Sequence, residues 1–159
     1  MWIDANLTFV FKMVRCLLCD KDFKTERGLS VHLARTHDIH GAHGRLSLRT
    51  IQEFFPLLKK RRWAKAEKFL KLTVKKIGED EWIKGYIHAL SGMITALKVS
   101  YSPPQPYIVK LEDFDNKKLQ EVKDMFNELS NTLDSKSAFD AAYFQAWEDF
   151  AHYGLHTQV

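Results

Sequence analysis

Apolar residues recur at helical intervals along the chain after residue 46. Ile51, Phe54, Phe55 and Leu58 share one face of a segment that Ser47 is placed to cap. Pro56 interrupts it, so this helix either begins just before the proline or kinks there. Ala66, Phe69, Leu70, Thr73, Val74 and Ile77 trace a second amphipathic helix, which Gly78 ends. Trp82, Tyr86, Leu90, Met93 and Leu97 predict the buried side of a third. Pro103, Pro104 and Pro106 then halt regular structure. Leu119, Val122, Phe126, Leu129 and Leu133 mark a fourth helix, and Phe139, Tyr143, Ala146, Phe150 and Tyr153 a fifth. Residues 47–159 therefore read as an all-helical bundle of about five helices.

The pattern changes ahead of that region. Residues 41–46, with Gly41 and Gly44, read as a linker. Residues 1–13 read as an N-terminal extension or an extra strand, because Leu7, Phe9 and Phe11 alternate. Between them, residues 14–40 hold both cysteines of the chain. Cys16 and Cys19 are separated by two residues, so a tight turn can aim both thiolates inward. His32 and His37 can face one side of a helix end. The twelve residues between Cys19 and His32 suffice for a turn, a return strand and the start of a helix. This is the ligand spacing of a structural zinc site. Val14, Phe23 and Leu29 supply a small apolar base beneath it. His40 or His43 offers an alternative to His37 as the fourth ligand.

With anchors at Cys16, Cys19, Phe23, Leu29, His32 and His37, residues 14–38 resemble the two-cysteine, two-histidine (C2H2) zinc-finger family. The resemblance implies a small ββα fold around one zinc ion. It also implies that Thr25, Arg27, Gly28 and Val31 face base edges when such a finger grips DNA. Of these, only Arg27 can make a bidentate contact with guanine. Lys24 and Arg35 would hold backbone phosphates. The expected fold class is mainly α: one ββα zinc finger followed by the helical bundle.

Composition narrows the class. Apolar residues make up 45% of the 159 positions, which marks a globular chain. No apolar run approaches the ~20 residues of a membrane span. With both cysteines assigned to metal, none remains for a disulfide, which favours a reducing, intracellular compartment. The net charge of +4 conceals a gradient: residues 47–100 carry twelve Lys/Arg against five Asp/Glu, and residues 101–159 five against ten. Lys59, Lys60, Arg61 and Arg62 form a cluster, and Lys65 and Lys68 continue it on the polar arc of the second helix. Such a footprint suits phosphate contact. A solvated helix face, or pairing with the acidic last third, would place the same residues there.

A single finger covers ~3 bp and cannot select a site alone. The expectation is an intracellular zinc-binding regulatory protein. It would bind nucleic acid, DNA ahead of RNA, through the finger plus the basic helical face, with modest sequence preference. The competing expectation is a protein–protein module whose bundle docks a partner or self-associates. That module would expose an apolar patch near Trp63, Phe144 or Trp147. Enzyme activity is not expected. A complete ligand set leaves no open coordination position to activate water, no Gly-rich phosphate loop occurs, and the carboxylates of the last third read as a solvated helix face.

Overall fold

A computed structural model describes residues 13–16, 19, 21–36, 41–78, 80–99, 106–134 and 137–157. The chain is mainly helical, with one small two-stranded sheet, and divides into two compact units, Met1–Gly41 and Ala42–Val159. Leu7, Phe9 and Phe11, the ligand candidates His37 and His40, and Pro103 and Pro104 lie outside the described residues.

In the first unit, β1 (Val14–Arg15) pairs antiparallel with β2 (Asp22–Phe23), with Val14 opposite Phe23 and Arg15 opposite Asp22. The Arg15 guanidinium donates to both Asp22 oxygens, at 2.8 and 3.1 Å, and holds that carboxyl below its usual range. Helix α1 (Glu26–Thr36) follows. Thr25 caps it, its Oγ1 accepting the Gly28 N–H at 3.1 Å. Leu29 and Leu33, one turn apart on α1, are buried, as is Cys16, while Val14 and Phe23 are half-buried.

Helix α2 (Gly41–Arg49), which belongs to the second unit from Ala42 on, a π-helical turn (Thr50–Phe54) and α3 (Phe55–Lys59) follow in unbroken succession. Residues 41–46 are thus the start of α2 rather than a linker. Leu46 is fully buried and His43 stacks on Trp82 at 4.2 Å, so tertiary packing outweighs the helix-weakening glycines. Ser47 lies inside α2 and caps nothing; its hydroxyl donates to Asp149. Pro56 sits in the first turn of α3, behind the π-helical turn, where the Phe55 N–H bonds to the Thr50 carbonyl. A proline lacks an N–H and crowds the carbonyl four residues back, and widening the preceding turn accommodates both effects.

Helices α4 (Trp63–Ile77) and α5 (Glu81–Val99) follow, separated at Gly78, whose φ of 97° suits only glycine. Then come α6 (Tyr107–Glu112), α7 (Asn116–Asp134) and α8 (Ala138–Thr157). The short α6 starts directly after Pro106, where the proline run predicted no regular structure. Helix α8 packs along both α5 and α7. Small residues permit this: Ala141, Ala142 and Ala146 are buried, and a Cβ on Gly85 would lie 2.0 Å from the Phe139 carbonyl oxygen. Phe54, Phe55, Leu58, Leu90, Met93 and Leu97 fill the core around them.

Glu148 and Asp149 correct the expectation of a solvated acidic face, since both are buried on α8. Ser47 and Tyr86 donate their hydroxyls to Asp149, and Gln145 Nε2 donates to it at 3.2 Å. Glu148 accepts from Gln145 at 2.9 Å and from Asn127 at 3.2 Å. Loss of water still dominates and pushes the Asp149 carboxyl up to about 6. This cluster joins α2, α5, α7 and α8 by polar bonds that no helical periodicity encodes.

Candidate metal centre and cationic face

The chain leaves β1 at Cys16, whose N–H bonds to the Lys21 carbonyl at 2.7 Å and closes the loop back to β2. That closure and the cap at Thr25 set Cys16, Cys19 and His32 together. Their ligand atoms all lie within 4.8 Å of one another, and Cys19 Sγ is 3.1 Å from His32 Nε2. Tetrahedral ligands at zinc-like bond lengths stand roughly 3.5–3.8 Å apart. No disulfide joins the two cysteines. Two thiols and an imidazole at this spacing can share a metal ion of borderline softness. The ring of His32 is also held from its far side. Its Nδ1 lies 3.1 Å from Thr36 Oγ1, and Phe23 packs on it at 4.6 Å. With a metal on Nε2, Nδ1–H would donate to Thr36, the kind of outer contact that orients a ligating imidazole. His37, the fourth expected ligand, lies outside the described residues. His43, the alternative to it, has its Nε2 3.0 Å from Asp80 Oδ2.

The other expected contact residues are placed as follows. Lys24, Thr25, Arg27 and Arg35 are exposed in and beside α1, with Val31 exposed on the same helix. Thr25 also serves as the cap, which leaves its hydroxyl proton to donate. In the second unit, α4 buries Ala66, Phe69, Leu70 and Thr73 and turns its lysines outward. Lys59, Lys60, Arg61, Arg62, Lys65 and Lys68 are all exposed. Among the described residues, none of the six forms an ion pair, with the acidic last third or elsewhere. Glu67, the acid within this basic stretch, is paired instead with Lys98 of α5. Lys59 Nζ donates to the Thr157 carbonyl at 3.3 Å, and the Arg61 guanidinium lies 5.9 Å from the Trp63 ring centre.

Trp63, Phe144 and Trp147 are half-buried against the apolar clusters. Two features escaped sequence reasoning: Leu33, which its one-turn spacing from Leu29 could have revealed, and a cavity of about 300 Å³ beside Lys59 and Arg61. The cavity had no sequence signal because helices distant in the chain line it. Among the described residues, no helix is long and apolar enough to cross a membrane. No family model, curated protein or solved structure matches the chain.

Proposed function

We propose that the chain is a zinc-binding, nucleic-acid-binding protein. Cys16, Cys19, His32 and His37 would hold one structural zinc ion. The ion would supply folding energy to a unit whose apolar base is too small to fold alone. Nucleic acid, DNA ahead of RNA, would be held by the exposed face of α1 and by the cationic run from Lys59 to Lys68. Arg27 is the side chain suited to a base edge, and the remaining cations suit phosphates. Preference for sequence would be modest and the role regulatory.

The observation that carries this reading is the absence of ion pairs, among the described residues, at Lys59, Lys60, Arg61, Arg62, Lys65 and Lys68. Clustered cations repel one another, and a merely solvated surface commonly intersperses acids among them. The interaction-module reading calls for an exposed apolar patch at Trp63, Phe144 or Trp147, and these three are half-buried against the apolar clusters. Fluorescence anisotropy with duplex DNA, single-stranded DNA and structured RNA tests the proposal. Binding is expected at about 50 mM salt and should weaken steeply by about 200 mM. Absence of binding to all three polymers at the lower salt overturns it.

A further inference from the structure

We infer that the cavity beside Lys59 and Arg61 binds a small amphiphilic anion: an apolar chain or ring ending in a carboxylate. The cavity measures about 300 Å³, and Phe55, Leu111, Leu119, Phe150 and Tyr153 line it, drawn from α3, α6, α7 and α8. That volume is at the small end of ligand sites. Its apolar lining favours an apolar body, at ~25 cal/mol for each Å² withdrawn from water. A nucleobase fits less well, because its polar edges would find few partners there.

The charge at the cavity selects the other end of the ligand. Lys59 and Arg61 line it against a single carboxylate, Glu112, which leaves one positive charge in excess. Neither cation is ion-paired among the described residues, and the one bond of Lys59 is to a neutral carbonyl. Arg61 adds an independent observation. It occupies the left-handed region, at φ 51°, in the turn that ends α3, where its N–H bonds to the Leu58 carbonyl and that of Arg62 to the Leu57 carbonyl. Glycine is the usual residue in such a turn, and a side chain there costs roughly 1–2 kcal/mol. The position keeps a guanidinium despite that cost, with the Trp63 ring beside it.

Isothermal titration with octanoate and with 1-octanol tests the inference on the full chain. Octanoate should bind saturably at one site, about tenfold more tightly than octanol. The double variant Lys59→Gln/Arg61→Gln, altered only at exposed positions, should lose that preference and keep its octanol affinity. Thr157→Trp, which fills the cavity from the last turn of α8, should abolish binding of both. The inference is overturned if the wild type shows no saturable octanoate binding or no preference over octanol. A preference surviving in the double variant, or binding surviving in Thr157→Trp, also overturns it. None of these readouts depends on nucleic acid, so they are separate from the test of the proposed function.

Discussion

Tyr86 and Asp149, 63 positions apart in the chain, meet through a hydroxyl-to-carboxylate hydrogen bond with both residues buried. The bond ties α5 to α8 and carries a pH dependence. Burial raises the Asp149 carboxyl from 3.8 to about 6. Between those values the native state binds a proton that the unfolded state releases. Stability should therefore fall as pH rises through this window and level off above it, by about 3 kcal/mol in all. Denaturant melts followed by helical circular dichroism should show a smaller decline from pH 4.5 to 7 in Asp149→Asn than in the wild type. Equal declines would falsify the assignment.

Metal content follows from the donor set. Purified protein should contain one zinc per chain by elemental analysis, and Cys16→Ser/Cys19→Ser should contain none. Protons compete with metal for thiolates and imidazole, so affinity should drop as the solution is acidified. Thr36→Val removes the acceptor 3.1 Å from His32 Nδ1 and should weaken zinc binding about tenfold in competition with a chelating dye. An unchanged affinity would mean that Thr36 does not orient the ring.

Chelation should separate the two units. Among the described residues the first buries Cys16, Leu29 and Leu33 and, on the proposed reading, would need its metal, whereas the second buries an extensive aromatic and aliphatic core. Removing zinc should abolish amide protection in α1 and leave most of the helical dichroism. Loss of the helices of the second unit on chelation would instead mean that the units fold as one.

How much was legible depends on whether the signal was local. Helices α4 and α5 were readable because Ala66, Phe69, Leu70 and Thr73, then Tyr86, Leu90, Met93 and Leu97, repeat at one-turn spacing and are buried as that spacing predicts. The grouping of Cys16, Cys19 and His32 was readable because short turns fix it. Residues 41–46 were not, since the contacts stabilising them, such as His43 on Trp82, come from α5. The pairing of Ser47 with Asp149 is illegible for the same reason. Asp149 looks like a surface residue locally, and its burial is tolerable because Ser47, Tyr86 and Gln145 all donate to it.

Two glycines of α5 should respond oppositely to alanine. At Gly85 the new Cβ would lie 2.0 Å from the Phe139 carbonyl oxygen, and backbone cannot yield as a flexible side chain can. Gly85→Ala should cost about 3 kcal/mol or more by forcing α5 and α8 apart. At Gly92 nothing lies within 4 Å, so Gly92→Ala should stabilise by up to about 1 kcal/mol. Thermal melts of the two variants give the comparison. A Gly85→Ala protein as stable as the wild type would contradict the close packing of the two helices.

The cationic face makes the sharpest forecast for function. If the run from Lys59 to Lys68 contacts about 4–6 phosphates, log affinity should fall with log salt at a slope of roughly −4 to −5. Replacing Lys59, Lys60, Arg61 and Arg62 with Gln should flatten that slope by about 3 and weaken every sequence alike. These side chains are exposed and without ion pairs among the described residues, so their loss should barely move the melting temperature. Arg27→Gln should behave differently. If Arg27 reads a guanine, its loss should cost about 1–3 kcal/mol at one base position and leave other sequences nearly unchanged. A quadruple variant that binds with the wild-type slope would show that the face is only solvated, and would leave the first unit to carry the binding alone.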